Sequence, residues 1–184
     1  FHFGGYALGE NLTVENLTVY ASPDNCYEFN NWQTVSATAL RCVNPMVTGF
    51  TIKNFTTPTD FKQQRITITN APVEMTVATP ADPDGDGTPQ YAPSAFTVTT
   101  AASIPMGDVI IRGGEFRQTT GMTTRVGPLV WVAPGASGGI RSVTLDDFKI
   151  AAPDMTRDST QDQYWYPIYW QNKKYDYDGD GTTE

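Results

Sequence analysis

At 184 residues and 39% hydrophobic, the chain is long enough to bury one core and gives no sign of a second folding unit. A net charge of −8 and a pI near 4.5 argue against nucleic acid, whose phosphates need a basic surface, and disfavour an anionic membrane for the same reason. No apolar run reaches the length of a membrane span, so membrane insertion is not expected.

The chain opens at Phe1 without an initiator Met, and no positively charged leader precedes an apolar segment, which suggests a processed product or an excised domain. Residues 1–10 read as a lead-in or N-terminal cap. From Leu12 an eight-residue phrase then recurs five times: apolar, any, apolar, any, a corner residue, two spacers, apolar. The copies are LTVENLTV (Leu12 to Val19), PMVTGFTI (Pro45 to Ile52), ITITNAPV (Ile66 to Val73), VIIRGGEF (Val109 to Phe116) and VTLDDFKI (Val143 to Ile150). Alternation over the first four residues predicts a strand with positions one and three facing inward. The corner residues Asn16, Gly49, Asn70, Gly113 and Asp147 are the types that accept a left-handed backbone most cheaply. A looser column, Ala37 to Val43, Ala95 to Val98, Leu129 to Val132 and Ile168 to Trp170, predicts one more strand per repeat.

Rungs such as Val47-Thr-Gly-Phe-Thr-Ile-Lys-Asn-Phe55 resemble those of the right-handed parallel β-helix of pectate-lyase-like proteins and phage tailspikes. The expected fold class is therefore all-β, a right-handed parallel β-helix (solenoid) of about five to six coils with loop insertions. The alternative is a β-sandwich, which Thr-rich alternating strands with Gly and Pro corners also describe. The expected domain is 11–160, with an Asp-rich insertion at 81–90 and an aromatic, Asp-rich cap or interface segment at 161–184.

Two cysteines, Cys26 and Cys42, are spaced for one disulfide in an extracellular protein; two buried thiols remain the other reading. Asn11, Asn16 and Asn54 begin glycosylation sequons. Asp82, Asp84 and Asp86, and again Asp176, Asp178 and Asp180, place carboxylates at alternate positions ahead of a Gly, as in the first half of a Ca²⁺ loop. The twelfth-position Glu of an EF-hand is missing from both, and solvated Asp-Gly turns are the competing reading.

In-register stacking sets Arg112 beside Asp146 and Glu115 beside Lys149 on the outward face. Glu115 and Asp146 are the candidate acid/base pair of a polysaccharide depolymerase, with Arg112 holding an acidic sugar; a salt-bridge ladder that sets register explains the same charges. The family's hydrolases carry a Gly-His-Gly element, whereas the one histidine here is His2, outside the repeats. Near the C-terminus, Trp165, Tyr166 and Trp170 belong to an aromatic cluster suited to stacking on sugar faces, or to capping the repeat or lining a subunit interface. The resemblance thus implies an extracellular or virion-surface domain, tailspike-like, that recognises surface polysaccharide, in a homo-oligomer or larger assembly. A structural subunit of a calcium-stabilised filament, adhesin or shaft is the alternative, and a lyase or hydrolase the third.

Overall fold

The computed structural model describes residues 1–77, 94–119, 129–135, 138–151 and 168–170. Within them the chain forms fourteen strands: β1 (His2–Phe3), β2 (Gly9–Glu15), β3 (Thr18–Tyr20), β4 (Tyr27–Asn30), β5 (Trp32–Thr38), β6 (Arg41–Val43), β7 (Thr48–Asn54), β8 (Arg65–Met75), β9 (Ser94–Thr100), β10 (Met106–Gln118), β11 (Val130–Ala133), β12 (Ile140–Asp146), β13 (Lys149–Ala151) and β14 (Ile168–Trp170). They build two parallel sheets. One has six strands in the order β1-β4-β7-β9-β11-β14; the other has eight, with β12-β10-β8-β5-β2 as its main path and the short strands β3, β6 and β13 continuing it past a bend.

This arrangement corrects the closed right-handed solenoid of about five to six coils expected from the repeats. The strands lie in two parallel layers, between which the chain alternates. Of the alternative β-sandwich, the two facing layers are present, but every ladder among the described residues is parallel, where the usual sandwich is antiparallel. Inward alternation and left-handed corners mark strands that bend and bury one face, and a facing layer buries that face as well as a closed coil does.

Four copies of the phrase fall in the eight-stranded sheet, where Asn16, Asn70 and Asp147 have φ of 57°, 52° and 52° and Gly113 has φ of 60°. The fifth copy is out of phase. Pro45 to Ile52 feeds β7 of the other sheet, and Gly49 lies within that strand as a buried residue, not at a corner. Glycine is needed there for space, since a Cβ would sit 2.7 Å from the Ala95 carbonyl oxygen and against Val73. The missing corner of the eight-stranded sheet is Ala39, φ 54°, in the segment Val35-Ser-Ala-Thr-Ala-Leu-Arg-Cys42. Ala37 to Val43 therefore belongs to the same sheet as the phrase, while Ala95 to Val98, Leu129 to Val132 and Ile168 to Trp170 belong to the other.

One hydrophobic cluster fills the space between the layers. From the eight-stranded sheet come the columns Leu12-Val35-Ile66-Val109-Val143 and Val14-Ala37-Ile68-Ile111-Leu145. From the six-stranded sheet comes a ladder of rings, Tyr27-Phe50-Phe96, with centroids 4.9 Å apart at each step and planes within 18° of parallel. In-register parallel strands repeat at about 4.8 Å, so rings in one column are forced to stack. The Cys26–Cys42 disulfide, Cα–Cα 5.8 Å, ties the chain just ahead of β4 to β6 and so joins the two layers.

Candidate functional site

The bend in the eight-stranded sheet sets up the site. Each left-handed corner turns the chain by the same sense at the same height, so Asn16, Ala39, Asn70, Gly113 and Asp147 form a line across the sheet. Beside this line runs an open groove of about 450 Å³ lined by Asn16, Thr18, Ala39, Arg41, Asn70 and Pro72. Its wall offers two amides, a hydroxyl, a guanidinium and the apolar Pro72 ring.

Outward residues beyond the bend fall into two columns, Thr18-Arg41-Pro72-Glu115-Lys149 and Tyr20-Val43-Glu74-Arg117-Ala151. Arg41 is the hinge between groove and column. Its Nε and Nη2 donate to the two oxygens of Glu74 at 2.9 and 2.6 Å, and its Nη1 donates to the Tyr20 hydroxyl at 3.2 Å. Glu74 in turn lies 3.8 Å from Arg117, which pairs with Glu115 at 2.7 Å. The hydrogen bonds from Arg41 hold the Glu74 carboxyl below its ordinary value, against the opposing effect of desolvation. The guanidinium also lies 5.9 Å from the centre of the Tyr20 ring. That ring is 65% exposed, so it is fixed at its hydroxyl end while leaving much of its surface open.

Behind the groove, Tyr27 anchors the same strands from the core. Its hydroxyl lies 2.7 Å from the Leu17 carbonyl oxygen and 3.0 Å from that of Arg41, and burial pushes its pKa up to about 12. Before the bend, the outer face carries Thr13, Ser36, Thr67, Ile110 and Thr144 in one column, flanked by a second ion-pair cluster. There Arg141 Nε donates to Asp108 at 2.8 Å, the Ser142 hydroxyl donates to Asp108 at 2.7 Å, and Arg65 lies 4.0 Å away.

The expected site residues are distributed as follows. Arg112 pairs with Asp146 at 3.6 Å, in the register anticipated. Glu115 is level with Lys149, but its ion-pair partner is Arg117, and Lys149 reaches Asp147 at 3.4 Å instead. Glu115 and Asp146 stand on opposite sides of the bend, each beside an arginine, so the structure does not bring them together as a pair. Trp170 continues the inward column Phe29-Ile52-Val98-Val132. Trp165, Tyr166 and the two Asp runs, Asp82, Asp84, Asp86 and Asp176, Asp178, Asp180, lie outside the described residues. Among the described residues no three candidate metal ligands cluster. Of the sequon asparagines, Asn11 and Asn16 are exposed, whereas Asn54 is buried and donates to Gln64 and to the Pro105 carbonyl.

Arg41 of the groove wall and Tyr20, which it holds, are absent from the sequence-based candidates. Arg41 occupies the outward seventh position of the repeat that begins at Val35, and that repeat is hidden because Ala fills its corner. Comparison of the chain with protein-family models, curated proteins and solved structures found no match.

Proposed function

We propose that the chain is an extracellular or virion-surface domain that recognises polysaccharide in the groove along the bend of the eight-stranded sheet. The observation that carries this reading is an open groove with the polar wall of Asn16, Thr18, Arg41 and Asn70, beside which the exposed Tyr20 ring is tethered to Arg41. A sugar presents apolar C–H faces and a rim of hydroxyls, and recognition of it calls for a flat ring beside donors and acceptors of fixed direction. Asn amides do both, and the left-handed corners fix where they start. A groove volume of this size lies within the range of small-molecule sites. The inter-layer disulfide supports an oxidising location, where such bonds persist.

In this reading Glu74, Glu115 and Arg117 position Arg41 and the groove wall, and Asp146 with Arg112 holds register across the sheet. The test is a binding titration against a panel of bacterial and plant polysaccharides, followed by substitutions at exposed groove positions. Tyr20→Ala weakens binding of the best ligand about tenfold, the equivalent of roughly 1.4 kcal/mol, and Thr18→Ala weakens it further. Wild-type affinity in the double variant would remove the groove from the account.

A further inference from the structure

The two ends of the stacked sheets present the same columns of residues. At one end β1, β2 and β3 each pair on one side only, with β4, β5 and β6; at the other, β12 and β13 pair only with β10, and β14 only with β11, among the described residues. Among the described residues, each end therefore carries a row of backbone N–H and C=O groups with no strand beyond it. Lys and Pro, the usual guards of such an edge, are absent from β2 and β3. Apolar exposure is concentrated at the same places: Phe1 is 62% exposed at one end, and Ile150 and Ile168 are 45% and 53% exposed at the other.

These residues match column by column. Tyr27, Phe50, Phe96, Val130 and Ile168 form one inward column of the six-stranded sheet, and the Phe1 ring stacks on its first member at 6.4 Å. Phe29, Ile52, Val98, Val132 and Trp170 form the next, which Phe3 begins by stacking on Phe29 at 5.3 Å. In the other sheet, Val143, Leu145 and Ile150 end the columns that Leu12, Val14 and Val19 begin. A second copy placed one strand spacing, about 4.8 Å, beyond the last strands would thus continue every inward column. Ile168 would meet Phe1, Ile150 would meet Val19, and the corner Asp147 would meet the corner Asn16. Along these columns the one like-charge meeting is Asp146 with Glu15, and Arg112 already faces Asp146.

We propose that copies of this chain associate head to tail, the β12–β13–β14 end of one docking as the next tier on the β1–β2–β3 end of another. Such a contact is heterologous: it uses two different surfaces and does not close on itself, so growth is open-ended. The β1–β2–β3 end includes Asn16 and Thr18 of the groove wall, so the two readings share that edge, and association measured without polysaccharide tests this contact by itself.

Sedimentation velocity across a concentration series, without polysaccharide, tests it. Wild-type chain shows an average mass that climbs past that of a dimer as concentration rises. Phe1→Glu and Ile150→Glu each block one end and each alone stays monomeric, while their equimolar mixture stops at a dimer, since each supplies the end the other lacks. Glu15→Lys, which turns the repulsion with Asp146 into attraction, strengthens association several-fold, and decides the matter should a blocking variant fail to fold. A wild-type chain monomeric at its solubility limit, a mixture that remains monomeric, or a Glu15→Lys variant that associates no more tightly overturns the proposal.

Discussion

Asp108 shows how an outward carboxylate is held by neighbours on adjacent strands. Hydrogen bonds from Arg141 and then Ser142 lower its pKa from 3.8 to about 2. Because the folded value is depressed, its stabilisation is present above pH 3.8 and is lost as pH falls through about 2. Asp108→Asn should flatten that part of the acid limb of a stability–pH curve and lower Tm at neutral pH by about 2–4 °C, for a loss of ~1 kcal/mol. An acid limb identical to that of the wild type would show that the Arg141 pair contributes nothing to folding. Ala39 offers the opposite experiment. It holds φ of 54° between Asn16 and Asn70, a conformation that is costly for a residue with a plain Cβ. Ala39→Asn should raise stability by about 1 kcal/mol, seen as a shift of the urea midpoint at unchanged slope.

At the scale of elements, the disulfide and the ring ladder do related work, since each couples or stiffens layers whose strands are otherwise joined by long-range pairing alone. Cutting the Cys26–Cys42 bond by double substitution to Ala releases a short loop of the unfolded chain and should cost ~3 kcal/mol, about 6–12 °C in Tm; an unchanged melt would assign the joint to packing instead. Much of the eight-stranded sheet was legible in the sequence because its signals are local. Alternation in ITIT and a left-handed residue after it specify a strand and a bend without reference to anything distant. The repeat that begins at Val35 carries no corner signal because Ala39 fills its corner, and PMVTGFTI mimics one because Gly49 serves close packing against Val73 and Ala95, which sequence alone does not distinguish from a turn. Whether strands close into a coil or lie in two layers is decided by what faces the inward residues, and that information is not local. The groove is hidden for a related reason: without the repeat that begins at Val35, the sequence does not set Arg41 beside Tyr20 and Glu74.

For the whole molecule, the distribution of chemistry follows from the architecture. Parallel strands in register repeat each residue type's surroundings along a column, so apolar columns become the core, charged columns become ion-pair ladders, and corner columns become a groove. Among the described residues, amides and a guanidinium share the groove surface with the exposed Tyr20 ring beside them, and the ends of the stack are where the described columns stop short. The central claim, that polysaccharide occupies the groove, is tested most directly by hydrogen–deuterium exchange with and without the best-binding polysaccharide. The account predicts that protection on binding is concentrated at Thr18–Tyr20 and at Arg41–Val43. Protection concentrated at Ile168–Trp170, with the groove strands unchanged, would contradict it.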